Sequence, residues 1–215
     1  MNNKTLILAS NNKHKIIEVQ AILGSDYKIL KQADYKIKPI PETGLSFKEN
    51  AIIKATEVFE ATGITTIADD SGLVVEALNG EPGVYSARYS GVNASDSNNN
   101  ATLLKNMAHL NKKERAARFE CVIALIDKEN NNRIHTFKGV WKGVILNNPK
   151  GINGFGYDPL FFDPVAGKSS AELSDKEKNK ISHRAIALSA LKEHIKKTRD
   201  WTKYLYKVLI INDFD

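Results

Sequence analysis

Asp69 and Asp70 stand side by side before Ser71-Gly72, and Glu42 lies in the segment Pro41-Glu42-Thr43-Gly44. Magnesium, a hard cation, takes one or two such carboxylates and leaves its remaining positions to water and substrate phosphates. Two adjacent acids could divide the work, one as ligand and one as base, although an acidic pair before Ser-Gly is also the composition of a solvated turn. The stretch Ser10-Asn11-Asn12-Lys13-His14-Lys15 separates an apolar run from a helical pattern. Free N–H groups at a helix start attract phosphate, and Lys15 would add a charge there; plain capping accounts for the same polar residues. In Gly154-Phe155-Gly156-Tyr157-Asp158-Pro159, glycines around an aromatic let backbone and ring approach a planar ligand. Lys178 and Ser182-His183-Arg184 fall in a basic run that also reads as a solvated helix face. Gly167-Lys168-Ser169 looks like the end of a P-loop, but Phe162 occupies the position where that motif needs its first glycine.

Regular elements must hold these groups in place. Thr5 to Ala9 is β-branched and apolar, as a buried strand is, and Ile16, Val19 and Leu23 then share a helical face over Lys13 to Leu23. Ser46 and Glu49 have capping-box spacing ahead of Ala51, Ile52, Ala55, Val58 and Phe59, with Gly63 as a stop. Thr65 to Ala68 reads as a strand that ends in a turn at Asp69-Asp70-Ser71-Gly72, a usual place for a site in an α/β protein. Ala101 to Leu110 is expected to be helical, Phe119 to Ile126 a buried strand, and Ile134 to Lys142 its hairpin partner across Asn130-Asn131-Asn132. Residues 147–172 are rich in Gly, Pro and Asn and predict an extended loop. Ser174 and Glu177 offer a second capping box before the last helix, Ser182 to Lys197, whose Ala185, Leu188, Leu191 and Ile195 turn inward. Residues 199–215 form an aromatic-rich tail that the pattern does not assign.

A chain of 215 residues suits one sizeable α/β domain with a mixed sheet, and no apolar run is long enough to cross a bilayer. The net charge of +6 favours polyanionic partners, nucleic acid or nucleotide phosphates, and equally serves solubility. Cys121 is the sole cysteine, which excludes an intrachain disulfide and a cysteine metal cluster and suits a buried thiol in a reducing compartment.

Taken together, the motifs resemble the inosine triphosphate pyrophosphatase family, the house-cleaning purine triphosphatases. The resemblance lies in Ser10-Asn11-Asn12 with Lys15 and Glu18; in Glu42-Thr43-Gly44 with Phe47, Glu49-Asn50-Ala51 and Lys54-Ala55; and in Ala68 through Leu73. It continues in Pro82-Gly83 with Ser86-Ala87-Arg88-Tyr89, in Gly154 to Pro159, and in Ala171-Glu172-Leu173 with Lys178, Ser182-His183-Arg184 and Ala187-Leu188. The resemblance implies an elongated α/β fold, a mixed sheet with flanking helices in two lobes around a nucleotide cleft, within residues 1–198. It implies hydrolysis of non-standard purine triphosphates (inosine, deoxyinosine and xanthosine) to monophosphate and pyrophosphate, by a cytoplasmic homodimer without a membrane or stable nucleic-acid partner. Mg2+ would be held by Glu42, Asp69 and Asp70, with Asp70 also the general base and Lys15 a catalytic cation. Ser10, Asn11, Asn12, Lys13, His14 and Lys15 would face the phosphates and Ser71 would touch the substrate. Phe155, Gly156, Tyr157 and Asp158 would line base and sugar, and Lys178, His183 and Arg184 would recognise the nucleotide. Two other readings compete: a related Maf-type pyrophosphatase for pyrimidine or modified nucleotides, and a protein that binds nucleotide or nucleic acid without hydrolysis. Glu42, Asp69 and Asp70 argue against the latter, because carboxylates repel phosphate unless a metal intervenes.

Overall fold

A computed structural model describes residues 4–212, with side chains for residues 5–198. Its strands are β1 (Lys4–Leu8), β2 (Tyr27–Lys31), β3 (Thr66–Val75), β4 (Ala116–Asp127), β5 (Arg133–Ile145), β6 (Phe161–Asp163) and β7 (Lys168–Ser169). Its α-helices are α1 (Lys13–Leu23), α2 (Phe47–Thr62), α3 (Asp96–Asn106), α4 (Asp175–Ile181) and α5 (His183–Asn212). The strands make one 7-stranded mixed sheet, ordered β2-β1-β3-β4-β5-β6-β7. β1 runs parallel to β2 and β3, while β3, β4 and β5 form a long antiparallel meander.

Local signals open α2 and α4 where expected, and close α2 there too. Ser46 Oγ accepts the Glu49 N–H and the Glu49 carboxylate reaches back to the Ser46 N–H; Gly63 closes α2 at φ 64, in the left-handed region. The same reciprocal pair, Ser174 and Glu177, opens α4. The apolar stripes of α1 and α5 meet on one face of the sheet, where Val19 and Leu23 pack with Leu6, Leu8, Ile67, Ile123, Leu188 and Leu191. Burying each such leucine contributes about 1.5–3 kcal/mol. α2 covers the opposite face through Ala51, Ala55 and Val58, against Ile7, Ala68, Val122 and Ala124. A third cluster, at the far end of β3–β5, joins Leu73 and Val75 to Phe119, Trp141, Phe161, Leu103 of α3 and Met107, which caps that helix.

Three expectations change. The strand predicted to end at Ala68 continues: β3 passes straight through Asp69-Asp70-Ser71-Gly72 to Val75, paired with β4 at every step. Gly72 signals a close approach and not a turn, since a Cβ there would collide with Ser86 Oγ and the Gly83 carbonyl. Residues 147–172, expected as loop, contain β6 and β7. The helix expected to close near Lys197 runs on to Asn212, into the unassigned tail; residues 213–215 lie outside the described residues. Among the described residues, no helix is long and apolar enough to cross a membrane.

Candidate active site

The site follows from strand alternation. Successive residues of β3 project to opposite faces, so Asp70 points towards α2 and Asp69 towards α5.

On the α2 side, Lys54 Nζ lies 2.7 Å from Glu42 Oε1, 2.7 Å from Asp70 Oδ1 and 2.9 Å from the Asp69 carbonyl. Arg88 holds the other Glu42 oxygen at 3.1 Å. Burial pushes the Asp70 carboxyl up to about 6 against the pull of Lys54, while Lys54 and Arg88 outweigh burial at Glu42 and bring it down to about 2. Two carboxylates and a carbonyl thus converge on one cation, a hard oxygen set of the kind magnesium takes when phosphates supply its remaining ligands. Among the described residues no group of three or more His, Cys, Asp or Glu side chains forms a closed cage. The residues present therefore fit a shared, substrate-completed metal site.

The Asp69 side chain does not belong to that set, although its carbonyl does. It is sealed beneath the opposite face, where Arg184 Nε donates to Oδ2 at 2.7 Å, Lys15 Nζ lies 2.5 Å from Oδ1, and Ser71 Oγ and Cys121 Sγ complete its partners. Burial alone would raise its carboxyl, but Arg184 and Lys15 hold it well below the usual range. The expectation that Asp69 ligates metal beside Asp70 is corrected accordingly: one step along a strand reverses the face.

Asp69 begins a buried chain of ion pairs. Arg184, 1% exposed, also grips Glu18 through Nη1 and Ser71 Oγ at 2.9 Å through Nη2. Glu18 in turn lies 3.1 Å from Lys178 Nζ, which contacts Asp158 at 2.6 Å. Gly139 makes this possible, because a Cβ on β5 at that point would overlap the His183 backbone at the start of α5.

Above the chain lies a cavity of about 360 Å³. Ser10, Asn11, Asn12 and Lys15 line it, as do Glu42, Lys54, Asp70 and Ser71. Phe155, Gly156, Tyr157, Asp158, Lys178, His183 and Arg184 complete the lining. Asn12 caps α1 by accepting the N–H groups of His14 and Lys15. Lys13 and His14 are exposed and not part of the lining, yet the His14 ring stacks on Phe155 at 5.0 Å. Lys178 Nζ sits 4.8 Å from the Phe155 centroid. Tyr157 turns away, donating its hydroxyl to the Ser86 carbonyl at 2.8 Å, and acts in the wall. His183 stacks on Phe119 at 4.8 Å with Nδ1 buried and without a hydrogen-bond partner.

Burial, with Arg184 and Lys178 nearby, pushes the His183 pKa well below its ordinary 6.5. A depressed histidine contributes stability that is present above 6.5 and lost as pH falls towards its folded value. His183 alone therefore takes away up to about 1.4 kcal/mol per pH unit below that point, while Asp70, raised to about 6, acts with the opposite sign in the same range. Denaturant titrations between pH 7 and 5 should show stability falling more steeply, or rising less, in the native sequence than in a folded His183→Gln variant.

Lys54 and Glu18 had no role assigned from sequence. Lys54 was nonetheless visible as an anomaly, a lysine on the stripe Phe47, Asn50, Ala51, Ala55, Val58 that α2 buries. The pairing of Glu18 with Arg184 and Lys178 spans more than 150 residues and leaves no local trace.

Carboxylates and lysines at an interior strand of an α/β sheet, lining an aromatic-walled cavity, define a protein built to hold an anionic ligand with a planar group. The family model for the Ham1 family matches residues 6–194, and the chain belongs to that family. A dITP/XTP pyrophosphatase of Geobacter sulfurreducens is 48% identical over 192 residues, 88% of this chain and 96% of the relative. That of Coxiella burnetii is 44% identical over 187 residues, 86% and 94% of the two chains. Among solved structures, a HAM1 protein from Coxiella burnetii superposes with a TM-score of 0.83 at 42% identity, covering 90% of this chain and 99% of the other. The Staphylococcus aureus Ham1 protein gives 0.82 at 41% identity, covering 91% and 100%.

Proposed function

We propose that this chain hydrolyses non-standard purine nucleoside triphosphates, those of inosine, deoxyinosine and xanthosine, to the monophosphate and pyrophosphate. The observation that carries the reading is the convergence of Glu42 and Asp70 on a single cation position in a cavity that Lys15 and Phe155 also line. Relatives that cover nearly the same length are named dITP/XTP pyrophosphatases.

Glu42 and Asp70 would hold Mg2+, which when bound neutralises charge on the triphosphate and lowers the cost of water attack. Lys54, freed from the carboxylates by that cation, and Lys15, tethered at the rim by Asp69, would bind phosphate oxygens. Asp70 would accept the proton of the attacking water through its carboxylate, whose raised pKa brings it nearer to neutral pH than an ordinary aspartate. Ser10, Asn11 and Asn12 would orient the phosphates, while Phe155 stacks on the base and Lys178 and His183 border it. Arg184 spends all three nitrogens on Glu18, Asp69 and Ser71, so it would act on base choice chiefly by fixing the pocket wall.

Pyrophosphate release across a nucleotide panel, with and without Mg2+, tests the reading. We expect metal-dependent release with kcat/KM for inosine triphosphate well above that for ATP, because a donor-lined pocket accepts a 6-carbonyl and rejects a 6-amino group. Comparable values for the two would refute the selectivity. Preference for pyrimidine triphosphates would point to the Maf-type alternative, and steeply salt-dependent binding of DNA or RNA without turnover to the nucleic-acid alternative. We also propose a cytoplasmic homodimer; light scattering should read about twice the 23.9 kDa chain mass, and a monomer at micromolar concentration would exclude it.

A further inference from the structure

Helix α3 supplies none of the roles above, yet its first turn grips the loop that carries Phe155. Asp96 Oδ2 accepts the Gly156 N–H at 2.6 Å, and Asn100 Nδ2 donates to the Gly156 carbonyl at 2.8 Å. Both backbone groups of the residue that follows the ring are thus held from one side, by two side chains that i,i+4 spacing stacks on one helix face. Gly156 has φ 63, a conformation that few other residues adopt, and its Cβ position is open. Asp158 Oδ2 fastens the other flank of the ring by accepting the Phe155 N–H at 2.8 Å.

The clamp has a fixed base. Asn99, 3% exposed, accepts from Ser90 N–H and Oγ and donates to the carbonyls of Ser86 and Ala87. Leu103 and Met107 seat the rest of α3 in the core. Asn100, by contrast, leaves its own carbonyl oxygen buried without a partner. A leucine of similar size would bury no unpaired oxygen there, so the amide is poorly explained by stability and well explained by what its N–H groups hold.

We propose that Asp96 and Asn100 are positioning residues for the base: by fixing the Gly156 backbone they set the plane in which the Phe155 ring meets the purine. This rests on the reading of Phe155 as the base platform. Asp96 borders the cavity, but the side chains of Asp96 and Asn100 bond the Phe155 loop and neither bonds Lys15, Glu42, Lys54 or Asp70, so their loss falls on KM for the nucleotide and not on kcat.

The test is a set of double-mutant cycles read by steady-state kinetics with inosine triphosphate and Mg2+. Asp96→Ala and Asn100→Leu should each raise KM by about 3- to 10-fold, with kcat within about twofold. In a Phe155→Ala background both should become silent, which a general loosening of α3 would not produce. Asp96 lies in the first turn of α3, where its loss could weaken the helix; Asn100→Leu keeps helix propensity and reads the clamp if that happens. Unchanged KM in Asn100→Leu, or an undiminished effect in the Phe155→Ala background, would overturn the proposal. If Phe155→Ala itself left KM unchanged, the platform reading would fall, and the proposal with it. A rise in KM for Phe155→Ala with none for Asp96→Ala and Asn100→Leu would remove the clamp alone.

Discussion

Asp70→Asn is expected to lower kcat by about 10²- to 10⁴-fold while the protein stays folded. The amide keeps the volume of the carboxyl but can neither take a proton nor bring a negative charge to a metal shared with Glu42. Lys54 would retain Glu42 at 2.7 Å and the Asp69 carbonyl at 2.9 Å, so its ammonium is not stranded. Burial already raises the Asp70 pKa to about 6, which means that the fold holds the charged form at some cost, and a neutral group relieves it. Pyrophosphate release beside a thermal melt measures both halves. A folded variant with near wild-type kcat would falsify the assignment.

Arg184→Met should do the reverse and strike the fold first. Its guanidinium is completely buried and bonds Asp69, Glu18 and Ser71. Removing it leaves the fully buried Asp69 and the largely buried Glu18 each short of a cation, and breaking a buried pair in this way costs about 3–5 kcal/mol. Lys15 still faces Asp69 and Lys178 still faces Glu18, which keeps the expectation inside that range. Denaturant unfolding gives the number directly. A loss under about 1 kcal/mol would mean that the chain of pairs relaxes without Arg184, contrary to the burial and geometry described.

Signals that act within a few residues were legible in the sequence. The capping boxes at Ser46 and Ser174 opened α2 and α4 where the spacing put them, because a cap is satisfied by its own first turn. The buried stripe Ala185, Leu188, Leu191, Ile195 came from periodicity alone. Failures came where distant backbone decided the outcome. Gly72 looked like a strand breaker because the segment it packs against, around Gly83 and Ser86, is invisible from position 72. That reading set Asp69 and Asp70 side by side on a turn, one as ligand and one as base, whereas on a strand their side chains face opposite ways. The gathering of Ser10, Glu42, Asp70, Phe155 and Lys178 around one cavity followed from their resemblance to a family, not from any spacing among them. Lys54 shows the intermediate case: its burial was readable from the α2 pattern, its partners were not.

The reversal of faces along β3 separates two liabilities that a sequence motif would merge. With Asp70 in the role proposed for it, harm at position 70 would reach the chemistry and harm at position 69 the protein's shape, although the two residues are alike and adjacent. A lineage could thus lose hydrolysis through one substitution at Asp70 and keep a well-formed nucleotide receptor. The way from catalyst to silent sensor is short in this architecture, whereas a change at Asp69 offers no such halfway state.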